Sequence, residues 1–345
     1  MAERSLTILL LAVLLVFPAD LKAQDPGHEH NLFNELFGDG EGQFVCYNRV
    51  HRNFYLAIFF SVAGLAVVGF SRYHIKKKAA RELEKKNTII AEKNKDILDS
   101  INYAKRIQSA ILPADEVVGK LLSDHFIVYQ PKDIVSGDFY WVGENGSKIM
   151  LAAVDCTGHG VPGALLSMIG HNALNKTVNQ QGRTKPDEIL AAIHREVVST
   201  LGQDGRTDLK DGMDIAFCTY HKDSGMLEFA GAFNPVFIVR KNSILEEIKG
   251  DRHAIASAAA SAKGFTLHSV QLEKGDMFYL LSDGFSDQFG GKDGKKFKVS
   301  RIKELLISVH DQPMNEQRKV IERTIEEWRG SLEQIDDIMV IGVGV

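Results

Sequence analysis

Between Phe54 and Phe70 the chain runs without a single charged side chain. A helix of this length and composition spans a bilayer with modest tilt, so residues 54–71 are read as a transmembrane helix. Arg72, Lys76, Lys77, Lys78, Arg81, Lys85 and Lys86 follow at once, whereas the preceding side offers only Arg49 and Arg52 nearby. Cations gather on the cytoplasmic flank of a span, so everything downstream is expected in the cytoplasm, held at the inner membrane. This also explains the basic cluster without nucleic acid, for which a chain of net charge -4 is poorly suited.

Upstream, Arg4 precedes an apolar run from Leu6 to Phe17 that is too short to cross a membrane and fits a signal peptide over residues 1–23, cleaved near Ala23. Leu21 suits the third position before a cut poorly, so an uncleaved anchor stays open. Residues 24–53 form a short extracytoplasmic segment, too small for an ordinary sensor domain. Of the three cysteines, Cys46, Cys156 and Cys218, none has CxxC spacing, which points away from a disulfide framework or a zinc site.

From Ala79 to Leu112 there is neither Gly nor Pro, and Leu83, Ile90, Ile97, Ala104 and Ile111 recur every seven residues. With these at d, the a positions are Asn87, Asn94, Ile101 and Gln108, and Asn at a favours a parallel pair in fixed register. Residues 72–113 are therefore expected to be a coiled-coil linker joining a homodimer, ended by Pro113.

Past Pro113 the pattern changes to short apolar runs of period two. Strands are expected over Phe126–Tyr129, Phe139–Val142, Ile149–Val154, Ile215–Tyr220, Leu227–Ala230, Val236–Arg240, Phe278–Leu281 and Ile338–Val343. Helices are expected after Pro162, Pro186 and Pro313, the second with Thr184 and Asp187 near a capping arrangement. Many strands are joined by connections too short for a crossover helix, which favours antiparallel sheet and an α+β fold.

Carboxylates mark the strand ends. Asp138 and the Asp336-Asp337 pair open strands, and Asp155 and Asp283 close them, each beside Gly or a tight turn. A lone Asp there is an ordinary turn former. Several that converge need a cation to stay ionised together, and an all-oxygen set selects Mg²⁺ or Mn²⁺ over zinc.

Ser136-Gly137-Asp138, Asp155-Cys156-Thr157-Gly158-His159-Gly160, Asp211-Gly212-Met213-Asp214, Ser282-Asp283-Gly284-Phe285 through Gln288-Phe289-Gly290-Gly291, and Asp336-Asp337-Ile338 together resemble, in order and spacing, the SpoIIE/RsbU-type branch of the PP2C (PPM) phosphatases. The likeness covers about residues 114–345. It implies a PP2C-like sandwich of two antiparallel β-sheets flanked by helices, with a two-metal centre at one edge. Carried over, Asp155 would bridge two Mn²⁺ or Mg²⁺ ions with the Cys156 carbonyl as a further ligand, and Asp138, Asp283 and Asp336 would complete the set. The implied reaction is hydrolysis of phosphoserine or phosphothreonine by solvent that the ions activate. His159 is a candidate general acid, and a turn role for Gly158-His159-Gly160 stands beside it. Asp214 is open between a third ion and a backbone bond. The implied substrate is a phosphorylated regulatory protein, a STAS-type anti-sigma-factor antagonist. His253-Ala254-Ile255 and the Ala/Ser-rich stretch to Ala262 depart from the family turn and suggest a mobile flap.

Two other classes share parts of this pattern. A non-catalytic dimeric scaffold would not need complete metal carboxylates, and a kinase would need a phosphate-binding glycine loop, which is lacking. The carboxylates alone leave a nucleotide cyclase open.

Overall fold

The computed structural model describes residues 41–202 and 211–345, with side chains from Asn48 onward. The signal peptide over 1–23 and the Cys46 side chain lie outside the described residues. The chain divides into two units, residues 1–91 and 92–345.

The first unit contains most of a helix, α1, that covers Glu41–Ile111. Residues 41–53 are thus helical, an extension that the polar composition of the preceding segment concealed. Phe60 and Leu65 are 68% and 73% exposed, so this apolar surface has no partner among the described residues. By length and composition α1 could cross a membrane.

In the second unit, after the end of α1, come α2 (Asp115–Leu121), β1 (His125–Gln130), β2 (Phe139–Asn145) and β3 (Lys148–Cys156). Next are α3 (Gly160–Asn175), prolonged by a π-helical turn over Lys176–Gln180, and α4 (Pro186–Thr200). β4 (Met213–His221), β5 (Met226–Ala232), β6 (Val236–Val239), β7 (Leu245–Ile248), α5 (Ala258–Lys263) and β8 (His268–Gln271) follow. The chain continues through β9 (Met277–Leu281), α6 (Gly284–Asp287), the hairpin β10 (Phe289–Gly290) and β11 (Lys295–Lys296), α7 (Val299–Val309), α8 (Met314–Arg329) and β12 (Ile338–Gly344).

Two five-stranded sheets result, ordered β1-β12-β9-β6-β7 and β2-β3-β4-β5-β8, and every paired strand is antiparallel. Their inner faces share a core in which Leu151, Ala216 and Phe229 meet Ile238, Phe278 and Ile341. The outer face of the β2–β8 sheet packs on α3 and α4 through Trp141, Phe217, Leu174 and Ile193. The outer face of the β1–β7 sheet packs on α7 and α8 through Phe126, Tyr279, Leu306 and Ile325. Because both faces of β3 and β9 are covered, their sequences read as nearly unbroken apolar runs. The expected α+β sandwich is observed.

Four strands have no counterpart among the expected ones: β10 and β11, of two residues each, are too short to show a period-two pattern, and β7 and β8 are sheet edges. β7 (Leu-Glu-Glu-Ile) and β8 (His-Ser-Val-Gln) carry the polar side chains with which exposed edges discourage further pairing. α4 starts as expected at Pro186, but Lys185 is its N-cap and no side chain caps it; Thr184 instead uses its carbonyl to accept Thr219 Oγ1 at 2.8 Å. The segment expected to be a flap is tied down. Ile255 exchanges backbone hydrogen bonds with Met213, His253 reaches the Gly264 carbonyl at 2.8 Å, and the Ala256 N–H donates to His194 Nδ1 at 3.0 Å.

The heptad stripe divides. Leu83, Ile90 and Ile97 are exposed, whereas Ile101, Ala104, Gln108 and Ile111 are partly or fully buried in the second unit. A helix face already covered by its own domain cannot also be a dimer seam, so the expected coiled coil does not extend over these four positions.

Candidate active site

Antiparallel order explains why acids far apart in sequence gather on one rim, since each strand begins where its neighbour ends. Asp155, at the end of β3, pairs directly with Asp214 at the start of β4. Phe139 pairs with Val154, which sets Asp138 beside the same strand end. In the other sheet Leu281 pairs with Val340, which brings Asp283 next to Asp336 and Asp337.

Two glycines let the loops close. A Cβ on Gly137 would lie 2.5 Å from the Gly158 carbonyl and 3.1 Å from the Cys156 carbonyl. A Cβ on Gly284 would collide with the Asp337 carbonyl. One glycine thus joins the Asp138 and Asp155 loops, and the other joins the Asp283 and Asp336 loops. Between them lies a cavity of about 150 Å³ lined by Asp155, Cys156, Thr157, Gly158, His159, Asp214, Asp283 and Asp336.

Asp155 sits at the centre, within hydrogen-bond reach of both Asp138 and Asp283. Burial first, and then the charges of Asp283, Asp214 and Asp336, push its pKa up to about 8. Asp214 is raised to about 7 by burial and by Asp283, and Asp283 is raised by burial and by Asp336. Burial and then Asp155 hold Asp138 well above the usual carboxylate range, against the opposing effect of the Ser282 hydroxyl. Asp138 Oδ2 is buried with no hydrogen-bond partner among the described residues.

A buried, unpartnered carboxylate oxygen within an all-oxygen acidic cluster fits a hard divalent cation, which would reverse every one of these shifts. Among the described residues, no three His, Cys, Asp or Glu side chains already close into a finished ligand shell. The Cys156 thiol takes no part. It is buried in the core under the sheet, where burial raises its pKa, so only the Cys156 backbone faces the rim.

Asp336 and Asp337 divide their roles. Asp337 is buried, and its carboxylate accepts the N–H groups of Lys132 and Gly137, each at 2.7 Å. Asp336 lines the cavity. His159 lies at the mouth with Nδ1 2.7 Å from Asp133 Oδ2. Gly160 next to it has φ +66, and a Cβ there would crowd Asp133 at 3.3 Å. Asp133 was not read from sequence, because an acid five residues before Asp138 in a loop has no periodic signal. Asp214, for which the sequence allows either a third ion or a backbone bond, stands opposite Asp155 and lines the cavity.

A sandwich of two antiparallel sheets flanked by helices, with acids from both sheets on one rim, is the PP2C phosphatase fold. Residues 145–345 match the family model of stage II sporulation protein E (SpoIIE). The chain is similar to the SiaA-PP2C domain of Pseudomonas aeruginosa, with 34% identity and a TM-score of 0.67 over 73% of this chain and 98% of that one. It shares its fold with the RsbU and RsbW domains of Rv1364c from Mycobacterium tuberculosis, at 18% identity and a TM-score of 0.52 over 64% of this chain and 59% of that one. The same holds for the PP2C phosphatase domain and a fragment of the regulatory domain of SpoIIE from Bacillus subtilis, at 17% identity and a TM-score of 0.51 over 64% and 63%. No curated protein sequence matches. The chain belongs to the SpoIIE family of PP2C-type serine/threonine phosphatases.

Proposed function

We propose that this chain is a membrane-anchored, metal-dependent phosphatase that removes phosphate from serine or threonine on a regulatory protein. The observation that carries the reading is Asp155 held within reach of both Asp138 and Asp283, at a rim where the fold alone makes ionisation costly. Asp138, Asp155, Asp283, Asp336 and the Cys156 carbonyl would hold two Mn²⁺ or Mg²⁺ ions, with Asp214 adding charge to the same cradle. When bound, the ions supply an activated solvent nucleophile and neutralise charge on the phosphoryl group.

The chain's own residues do the rest. Asp133 holds His159 through Nδ1, which leaves Nε2 to exchange a proton with the departing serine oxygen. Asp337 fixes the loop that carries Asp133 at one end and Asp138 at the other.

The anchor would be the apolar part of α1, and the cations after Phe70 support a cytoplasmic catalytic unit. The exposed seam of Leu83, Ile90 and Ile97, with Asn87 and Asn94, suits a parallel homodimer. The likeness to a structure containing RsbU and RsbW domains supports a partner-switching substrate, a phosphorylated STAS-type anti-sigma-factor antagonist. The test is manganese-dependent phosphate release from a phosphoserine protein by the full-length chain. Release is expected from the wild type and not from Asp155→Asn, and a fully active variant would overturn the reading.

A further inference from the structure

Phe233 sits where β5 leaves its sheet, with φ +57 and half of its surface open to solvent. The left-handed region is unfavourable for any residue with a Cβ, and a bulky side chain there is an outlier. Among the described residues Phe233 is the one aromatic side chain at positive φ, and at 50% it is more exposed than any other phenylalanine of the second unit. A ring half in water contributes little packing to offset the strain. Asn234, next to it, is buried, and its Nδ2 has no hydrogen-bond partner among the described residues.

The surrounding chain holds this turn in place. The Phe233 N–H donates to the Asp251 carbonyl at 2.8 Å, the Asp251 N–H to the Gly231 carbonyl at 2.8 Å, and the Asn234 N–H to the Ala232 carbonyl at 2.7 Å. A Cβ on Gly231 would lie 2.5 Å from the Asn234 carbonyl oxygen, and one on Gly250 would lie 2.8 Å from the Gly231 carbonyl carbon, so the two loops approach only through glycine. The Asp251 carboxylate in turn accepts the Thr266 N–H at 2.7 Å and the Thr266 hydroxyl at 2.9 Å. Strain that its surroundings over-determine beside a site points to a use for the strained residue. The register places Phe233 at such a site. Asp155 pairs with Asp214, and Ile215 pairs with Ala232, so Phe233 follows β5 out of the sheet beside Asp214, which lines the cavity. Neighbouring strands lie about 5 Å apart.

We infer that Phe233 is a specificity-determining residue, an aromatic surface that receives an apolar side chain flanking the phosphorylated serine or threonine of the substrate. The inference rests on the phosphatase reading and adds to it which sequences the site prefers. An extended segment rises about 3.3 Å per residue, so with the phosphoryl group in the cavity a side chain one or two residues away can reach Phe233. Contact there removes apolar area of both partners from water. The acid of the turn, Asp251, is already engaged by Thr266, so the ring is what the turn offers to a ligand.

The test uses the full-length chain in detergent with Mn²⁺ and two phosphoserine peptides of otherwise identical polar sequence, one with leucine and one with serine on both sides of the phosphoserine. The wild type is expected to favour the leucine peptide about fivefold in kcat/KM. Phe233→Asn removes the ring and suits a left-handed backbone, so it should bring that preference to about one. Phe233→Leu keeps an apolar side chain and should retain part of the preference. The thermal midpoint reports whether the ring is structural instead, and it should not fall in Phe233→Asn. Equal rates on the two peptides in the wild type, an unchanged preference in Phe233→Asn, or a loss by the same factor on both peptides would overturn the inference. If Phe233→Asn does not fold, Phe233→Gly, which takes the same φ without strain, decides by the same criterion. An activated aryl phosphate separates the two levels. If the wild type hydrolyses it no faster than Asp155→Asn, the phosphatase reading itself fails. Mn²⁺-dependent hydrolysis of it, together with equal rates on the two peptides or none on either, sinks this inference alone.

Discussion

Asp337 accepts the Gly137 N–H at 2.7 Å from two hundred residues away in the chain, and its other oxygen takes the Lys132 N–H at the same distance. Two charge-assisted bonds from one buried carboxylate are strong ones. Asp337→Ala should lower stability by about 2–3 kcal/mol in urea unfolding with EDTA present. Asp336→Asn, one residue away, should leave that stability unchanged or raise it, while weakening Mn²⁺ binding. Equal behaviour of the two variants would contradict the division of roles.

Ions that bind only the folded rim must stabilise it by mass action. The thermal midpoint of the wild type should rise steadily with Mn²⁺ concentration, and that of Asp155→Asn should stay flat. Calorimetry or near-ultraviolet circular dichroism reads both.

If His159 protonates the leaving oxygen, its removal should matter only where the leaving group needs a proton. His159→Ala is expected to slow phosphoserine hydrolysis by about a hundredfold, with little change for an activated aryl phosphate. Asp133→Asn should act in the same direction, more weakly. A uniform loss on both substrates would assign the pair to turn structure instead.

Away from the rim, Asp276 is buried and meets Arg240 Nη1 at 2.8 Å. Burial pushes its pKa up, but the Arg240 guanidinium and the N–H groups of Glu273 and Lys241 outweigh this, and the net shift is downward. A depressed folded-state pKa contributes stability that is present above the unfolded value and lost as pH falls through the folded one. Asp276→Asn should therefore cost about 2 kcal/mol at neutral pH, with the gap to wild type narrowing below about pH 4. A gap that is constant with pH would remove the ion pair as its cause.

Most strands were legible because their covered faces demand apolar runs, and the acids stood out because a carboxylate closing such a run needs a reason to be there. What escaped has a physical reason in each case. β7 and β8 are edges with polar side chains. Gln108 occupied a plausible heptad position, and nothing in a seven-residue repeat tells whether a stripe faces a second helix or its own domain. Asp133 and Asp337 act through loop contacts that only the folded chain brings about.

β12 runs between β1 and β9, so an interior strand of one sheet is made after every other strand described here. Asp336 and Asp337 lie at its doorstep. A nascent or truncated chain that stops short of residue 338 lacks the spine that unites its first strand with the remainder, and its reactive rim cannot assemble. Catalytic competence therefore waits on β12, and a chain cut before that strand is expected to be inert.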